Sequence, residues 1–340
     1  MSESINLHVE ALPSRVSHKK LRLFGYGACA LAGTLWGTGF YFGRLALDEM
    51  GVEPMVLYRF LFACLGMLPV ILVHGCRYGF RMRLNAGEIR LLLIASGLGI
   101  PVQFLMQFHG LAITTVSHAA LMVGAMPVLL AASAALFTGE RLDRLGWILL
   151  FFSTLGAALV TLGGGHAASG HGGPSLAGDM LILSSLVTSL AWILLSKKLM
   201  EEHTPLAVSV YTIFSGTAML ALVVAAESGF AALTHRAFEP MPFAHVSLRA
   251  WLALSASGVL CTATTTLLWN WGLHHVPASR AGVFLNIEPA LGSVLGVELL
   301  GEHLGPFAGI GGLLILGAAI ALTARVGAAH PEIVPKEISQ

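Results

Sequence analysis

Charged side chains are scarce in this sequence. Aspartate, glutamate, lysine and arginine make up 11% of the 340 residues, whereas soluble proteins carry about a quarter. So few charges cannot cover a surface that faces water, and we therefore expect lipid to cover much of the protein. The net charge of +1 gives no attraction for nucleic acid, and the polar stretches are too short for a soluble domain.

Cysteine is also scarce, and the motifs of common enzymes are missing. The four cysteines show neither the spacing of metal ligands nor the clustering of a disulfide framework, so we expect no metal and no cofactor. The sequence contains no H-E-x-x-H, no G-x-S-x-G and no phosphate-binding glycine loop. These absences argue against an enzyme.

What the sequence does contain is a series of long apolar runs. A helix needs about twenty apolar residues to cross a bilayer, and these runs are continuously apolar, unlike the alternating strands of a membrane barrel. The sequence therefore predicts an all-α polytopic membrane protein with ten transmembrane helices. The runs cover residues 23–43, 55–75, 89–108, 119–138, 145–162, 179–196, 205–226, 250–271, 281–300 and 306–324.

The positions of lysine and arginine predict the orientation. With the N-terminus in the cytoplasm, 15 of the 19 basic residues fall on the cytoplasmic side, as the positive-inside rule requires. We therefore expect a multi-pass protein of the cell membrane with cytoplasmic tails at 1–22 and 325–340. The 15 residues are Arg15, Lys19, Lys20, Arg22, Arg77, Arg81, Arg83, Arg90, Arg141, Arg144, Lys197, Lys198, Arg280, Arg325 and Lys336.

Two parts of the chain repeat at a spacing of 162 residues. Residues 110–142 align without a gap with residues 272–304, and the pattern P-x11-G-E-x-L occurs in both. Chance composition would rarely produce this ordered match. The matched positions include Gly110 and Gly272, Ser117 and Ser279, Pro127 and Pro289, Gly139 and Gly301, and Glu140 and Glu302.

The alignment sets the fourth predicted helix against the ninth, so each half of the chain holds five helices. The halves are residues 23–162 and 179–324, and a glycine- and histidine-rich external linker, residues 163–178, joins them. Because five is odd, the second half enters the membrane from the opposite face. The sequence thus predicts two inverted five-helix repeats, an architecture common among secondary transporters, with a binding site between the halves near the midplane.

Four segments carry a resemblance to a known family. They are LAGTLWGTGF at 31–40, Pro54 with Arg59, MPVLLAASAALFTGERL at 126–142 and EPALGSVLGVELLGEHL at 288–304. On these segments the chain resembles the EamA family of the drug/metabolite transporter superfamily. The resemblance implies ten helices in a five-plus-five inverted repeat. It also implies transport, often export, of a small organic solute such as an amino acid or another metabolite.

The function predicted from these features is secondary transport by alternating access. A channel or passive facilitator for small solutes is the alternative, although neither the rings of charge nor the filter sequence of a channel is evident. The expected partners are the lipid bilayer and a small-molecule substrate. The sequence also allows coupling to protons and a homo-oligomer.

Glu288 is the strongest candidate for a residue of the transport site. An unrelieved charge inside a bilayer costs several kcal/mol, and Glu288 lies about 12 Å along its helix from the cytoplasmic end, near the midplane. It can bind a proton or the solute, or it can be a protonated carboxyl bonded to a neighbouring helix. The repeat sets Glu288 against Met126, so only one half carries this acid.

Arg59 is the second charged candidate. It lies about 6 Å inside the predicted outer boundary, from where its guanidinium can reach the headgroups. We therefore favour an anchoring role for Arg59 over binding of a carboxylate or phosphate. Among neutral groups, Asn286 and Gln103 lie deep enough to face a central cavity. Trp36 lies deeper than the interfacial belt, where it can stack on a solute or simply pack.

The remaining features predict structural roles. The glycine pairs Gly33/Gly37 and Gly292/Gly296 let helix backbones approach each other. Three polar groups within helices, Asn270, Gln107 and His118, are expected to bond to neighbouring helices. Trp251 and Trp269 lie near helix ends and are expected in the interfacial belt. The acids of the repeat motif, Glu140 and Glu302, are expected to cap helix ends.

Overall fold

A computed structural model describes residues 18–78, 84–126, 128–129, 133, 144–162, 175–234, 245–276 and 282–329. These residues form helices and short connections, and no strand occurs among them. The predicted all-α fold is therefore confirmed. Most of the predicted linker, the tail at 330–340 and the repeat positions Pro127, Glu140 and Ser279 lie outside the described residues.

We number the helices of this described part in chain order. The first half contributes α1 (His18–Leu47), α2 (Val52–Tyr78), α3 (Ala86–Ala112), α4 (Val116–Val123) and α5 (Arg144–Leu162). The second half contributes α6 (Leu176–Leu199), α7 (Pro205–Leu233), α8 (Leu248–His275), α9 (Ile287–Leu300) and α10 (Pro306–Ala329). A 3-10 turn, Gly282–Asn286, precedes α9.

Five of the described helices are long and apolar enough to cross a membrane. They are α2, α3, α6, α7 and α8, whose apolar windows have a mean hydropathy of 1.4 to 2.2. Shorter apolar stretches lie in α5 and α10, at Arg144–Val160 and Pro306–Ala318. The chain is thus a polytopic helical protein in its described part, and the total of ten spans stays a prediction.

Polar caps begin several of these apolar helices. Ser175 accepts a hydrogen bond of 3.0 Å from the backbone N–H of Gly178 at the start of α6. Asn85 and Glu88 form a reciprocal capping box at the start of α3, and Thr204 caps α7. Each cap satisfies backbone donors that the first helical turn leaves without partners, which explains why the helices begin at these residues.

Helices α3 and α8 are interrupted at equivalent places. A π-helical turn covers Leu98–Val102 in α3 and Val259–Thr264 in α8, and the 162-residue shift lays one over the other. In α3 the turn contains Pro101, whose missing N–H and bulky ring break the ordinary hydrogen-bond ladder. Such turns are frequent at functional sites, so a functional site is expected in the bundle beside these two turns.

Each half of the bundle repeats the helix contacts of the other. α1 packs against α8 and α9, whereas α6, the first helix of the second half, packs against α3 and α4. α2 packs against α8, and α7 against α3. The counterparts α2 and α7, α4 and α9, and α5 and α10 pack on each other. This exchange of partners is what a two-fold relation between the halves requires.

Glycines permit two equivalent close contacts between helices. A side-chain carbon at Gly110 in α3 would lie 2.8 Å from the carbonyl oxygen of Gly178 in α6. In the other half, a side-chain carbon at Gly272 in α8 would lie 3.1 Å from the carbonyl oxygen of Gly25 in α1. A larger residue would force the backbones apart. We call these the α3–α6 contact and the α1–α8 contact.

The four glycines predicted to pack helices lie where α9 meets α1 and α4. A side-chain carbon at any of them would come within about 3 Å of a neighbouring helix or turn, closer than side-chain carbons ordinarily pack. Their structural surroundings therefore match a packing role. The neighbours are Phe284 for Gly33, Glu288 for Gly37, Ala120 for Gly292 and Ser117 for Gly296.

Glu302 joins the end of α9 to the start of α4 across the two halves. Its carboxylate accepts hydrogen bonds of 2.7 Å from the backbone N–H groups of Val116 and Ser117 and one of 2.6 Å from the Ser117 hydroxyl. Gly301 has φ 65°, a left-handed conformation that glycine adopts without strain, and it ends α9 just before Glu302. The predicted capping role of Glu302 is confirmed.

Candidate functional site

A cavity lies between the two halves of the described bundle. Its volume, measured as the space open to the centre of a water molecule, is about 110 Å³, whereas a single water needs about 10–15 Å³ on that measure. The cavity therefore has room for a small organic solute. Its walls come from α1 to α4 in the first half and from α6 to α9, with the turn before α9, in the second.

Equivalent residues of the two halves line this cavity. Five pairs of lining residues stand 162 residues apart, at the shift that aligns the sequence repeat. The cavity wall therefore follows the same two-fold relation as the helix contacts. The pairs are Gly99 and Cys261, Ile100 and Thr262, Phe104 and Thr266, Val123 and Leu285, and Met126 and Glu288.

Arg59 is a buried cation in the cavity wall. It is 4% exposed, and its Nε donates a hydrogen bond of 2.9 Å to Oγ1 of Thr262. Its guanidinium carbon lies 5.0 Å and 5.1 Å from the ring centres of Phe104 and Phe108, within the range of cation–π attraction. The expected extension of Arg59 to the headgroups is therefore wrong, because these contacts hold the guanidinium inside the protein.

The π turn of α8 supplies the hydrogen-bond partner of Arg59. Thr262 Oγ1 donates 3.0 Å to the carbonyl oxygen of Ser257, five residues earlier, while it accepts from Arg59. Thr265 Oγ1 donates in the same way to the carbonyl oxygen of Leu260 at 2.6 Å. The wider turn thus orients a hydroxyl oxygen towards the cation and gives the helix irregularity a role in the site.

Glu288 brings a carboxyl group to the same cavity. It lies in the first turn of α9, beside the buried Pro289, and shares the cavity wall with Arg59. Among the ion pairs within 4.0 Å that the described residues form, none joins Arg59 to Glu288. The two opposite charges thus share one cavity wall without forming an ion pair.

The neutral candidates divide between the cavity and its surroundings. Trp36 and Gln103 line the cavity. Asn286 is buried but does not belong to the cavity wall, so the structure does not bring it to the site. Asn270 donates a hydrogen bond of 2.6 Å to Ser209 Oγ, and its predicted role as a partner between helices is confirmed.

The prediction that Trp269 lies in the interfacial belt is wrong. Trp269 is 4% exposed, and its ring centre lies 5.3 Å from that of Trp36. The Trp269 ring packs at a tilt against Trp36, which itself lines the cavity, because α1 packs closely against α8. Trp251 also contacts protein, with its ring edge against Tyr58 at 5.1 Å.

Trp192 is a cavity residue that the sequence analysis did not identify. It lies on α6 and lines the cavity, and its ring packs against Gly99, where a side-chain carbon would come within 2.5 Å of the indole. The repeat could have indicated Trp192, because α6 is the counterpart of α1, which carries the candidate Trp36. Gln107 also lines the cavity, although it was expected nearer the outer boundary.

A second buried polar cluster lies beside the α3–α6 contact. The side chains of Asp179 and His118 are 0% and 1% exposed, and Asp179 Oδ2 lies 3.7 Å from His118 Nδ1. Thr114 Oγ1 donates a hydrogen bond of 2.9 Å to Asp179 Oδ1. The His118 ring makes no hydrogen bond within the described structure, so its predicted role as a hydrogen-bond partner is not found. Asp179 was not among the residues predicted from the sequence.

Comparison with protein families identifies both halves of the chain. The family model described as the EamA-like transporter family matches residues 23–162 and 176–324. The first match has the bounds predicted for the first repeat, and the second begins three residues before the predicted start of the second repeat and ends with it. The family model thus occurs twice in the chain.

Similar proteins span most of the chain. The uncharacterized transporter YyaM of Bacillus subtilis is 22% identical over 280 residues, which cover 82% of this chain and 87% of that protein. A probable terminal-alkyne amino-acid exporter of Streptantibioticus cattleyicolor is 24% identical over 302 residues, which cover 88% of this chain and 93% of that protein. One crystal structure aligns with 93% of this chain and 100% of its own at a TM-score of 0.59 and 18% identity, a likeness of fold.

Proposed function

Because the chain belongs to the EamA-like transporter family, we propose that it exports a small organic solute across the cell membrane by alternating access. One observation carries this proposal: equivalent residues of both halves line a shared cavity that holds Arg59 and Glu288. In transporters with inverted repeats, a site of this kind opens to one side and then to the other as the halves exchange conformations.

The proposed topology has ten spans in two inverted sets of five, with both termini in the cytoplasm. In that topology the α3–α6 contact lies at the outer end of the bundle and the α1–α8 contact at the inner end. We therefore call them the outer contact and the inner contact. Glycines allow both to close tightly, and alternating access requires each to open while the other stays closed. Reporter tags on the two chain ends test the shared cytoplasmic location.

An amino acid is the solute class that fits the cavity. The guanidinium of Arg59 can bind a carboxylate through two N–H groups, and the carboxylate of Glu288 can bind an ammonium group. Aromatic rings such as those of Trp36 and Trp192 offer contact area to an apolar side chain. The amino-acid exporter of S. cattleyicolor, which is similar over most of the chain, supports the same class.

Counterflow in proteoliposomes tests the proposal. Vesicles that contain the purified protein and an excess of unlabelled leucine should accumulate labelled leucine transiently, with a rate that saturates. Alanine, phenylalanine and glutamate, tested in the same way, would define the accepted side chains. A channel would give flux that neither saturates nor responds to solute on the opposite side. Flux of that kind, or no flux for any amino acid, would contradict the proposed carrier.

A further inference from the structure

We propose that His118 and Asp179 form a proton-binding site that holds the outer contact closed. The two residues lie outside the solute cavity, on α4 of the first half and α6 of the second. Asp179 directly follows Gly178, whose close approach to Gly110 defines the outer contact. The assignment of this contact to the outer face rests on the proposed topology.

The hydrogen bonding of this pair is incomplete. Thr114 satisfies Oδ1 of Asp179, whereas Oδ2 and both ring nitrogens of His118 have no hydrogen-bond partner in the described part of the chain. The separation of 3.7 Å between Nδ1 and Oδ2 is within the reach of charge attraction but longer than a hydrogen bond. Buried polar groups are ordinarily paired, so the hydrogen-bonding capacity of this pair is not fully used in the structure.

One proton changes the charge of the closed contact. Without it, a carboxylate faces a neutral imidazole, and burial of an uncompensated charge is costly. With one proton taken from water, the pair has no net charge. Both ring nitrogens of His118 then carry a hydrogen, so Nδ1–H faces Oδ2 of Asp179 whichever tautomer the neutral ring adopts. Proton uptake therefore stabilises the closed contact. Proton loss favours the open contact, in which water solvates the carboxylate.

The inner contact lacks an equivalent pair. The repeat sets Arg280 against His118, and the equivalent glycine contacts set Tyr26 against Asp179. The His118–Asp179 pair is therefore specific to the outer contact, whereas at the inner contact His275 packs beside Gly25. Acid outside the cell should shift the protein towards states that are closed at the outer end, whatever the solute concentration.

Among the described residues, the other ionisable groups near this end of the bundle have partners or face outwards. Glu302 is bonded to Ser117, so it acts on the start of α4 beside His118. Histidine is the residue type that ordinarily changes charge between pH 5 and 8. A variant of His109 is therefore the control for a pH response that arises from another histidine near this end of the bundle. The remaining pairs are His109 with Glu53 at 3.0 Å and Arg44 with Asp48 at 3.1 Å, and Glu298 on α9 is exposed.

Cys261 is a native reporter of the outer pathway. It lines the cavity and is 1% exposed, so a membrane-impermeant thiol reagent added outside intact cells should modify it only when the outer contact opens. Mass spectrometry assigns the modified residue. The Asp179→Asn variant keeps an oxygen for Thr114 but cannot titrate, and it therefore reports the intrinsic pH dependence of the thiol reaction.

We expect the ratio of the wild-type modification rate to the Asp179→Asn rate to rise with external pH. One proton limits the increase to about tenfold per pH unit. His118→Gln should resemble Asp179→Asn, whereas His109→Gln should keep the wild-type response. A ratio that does not change with pH would overturn the proposal, even if both variants lowered stability. A response lost in His109→Gln and retained in His118→Gln would also overturn it.

This readout is independent of the solute. A protein that shows the pH response but no counterflow would contradict the proposed transport of amino acids and leave the proton site supported. Counterflow without the pH response would contradict the proton site alone. The two proposals can therefore fail separately.

Discussion

Met126 and Glu288 line the same cavity from equivalent positions of the two halves. One side chain is an apolar thioether and the other a carboxyl group, so the two-fold relation of the backbone does not extend to the chemistry of the site. Arg59 adds its cation from the first half. A zwitterionic solute should therefore bind in one orientation, with its ammonium group near Glu288.

Replacing Glu288 by Gln should reduce counterflow strongly. The amide keeps the size of the side chain but removes the charge that would bind an ammonium group, and a hydrogen bond to a charged group is worth about 1.5–3 kcal/mol. We expect kcat/KM to fall about tenfold or more, measured as the initial rate of labelled leucine uptake. Glu298→Gln, which changes an exposed acid on the same helix, is the control. Equal rates in both variants would remove Glu288 from the site.

Arg59→Lys should impair transport although it conserves the charge. Lysine cannot reproduce both the Nε hydrogen bond to Thr262 and the planar contact with Phe104 and Phe108. We expect at least about a tenfold rise in KM for leucine. A smaller rise is expected in Thr262→Val, which removes the hydroxyl that accepts from Arg59 and donates to Ser257. A variant that transports like the wild type would show that the guanidinium geometry is unimportant.

Gly110→Ala and Gly272→Ala should shift the protein in opposite directions. Each adds a methyl group where the other backbone is too close, and overpacking costs about 1–3 kcal/mol. Gly110→Ala should accelerate modification of Cys261 from outside about fivefold or more, and Gly272→Ala should do so from the inner face of inverted vesicles.

Gly27→Ala is the matched control for both variants, because a side-chain carbon at Gly27 would have no neighbour within 4 Å. It should change neither rate. Acceleration from the same side in Gly110→Ala and Gly272→Ala would contradict the assignment of the two contacts to opposite ends.

Glu302→Gln should destabilise the protein without altering solute affinity. The carboxylate accepts three hydrogen bonds at the start of α4, where the helix dipole also favours a negative charge. We expect a loss of about 1–3 kcal/mol, measured as a lower Tm in detergent. Glu298→Gln should keep the wild-type Tm. A lower affinity for leucine in Glu302→Gln would instead indicate a direct role in binding.

Glu49 should make part of the stability depend on pH. Hydrogen bonds from the hydroxyl and the N–H of Ser247 lower the pKa of Glu49 and hold the start of α8. A lowered pKa means that this contribution is present above the ordinary carboxyl pKa and is lost as the pH falls through the lowered value. The Tm of Glu49→Gln should therefore be below that of the wild type at neutral pH and converge with it in acid. A constant difference would contradict this prediction.

The apolar runs and the repeat predicted the helical fold and the location of the cavity, because both depend on hydrophobicity and on the equivalence of the two halves. They did not predict which way a side chain points around its helix. Arg59 and Trp269 were placed by depth alone, and the packing of α1 and α3 against α2 and α8 turned both inward. The pairing of Thr262 with Arg59 was not predicted for a related reason, since the orientation of Thr262 comes from a π turn that leaves no mark on the apolar pattern.

The paired π turns in α3 and α8 also set the rotational phase of each helix. One extra residue rotates the following residues by about 100° around the helix axis. The face of α3 that meets α6 near Gly110 is therefore rotated relative to the face that would continue from the helix before Leu98. Deleting one residue from either turn would therefore rotate an entire helix end and misalign every contact beyond the deletion.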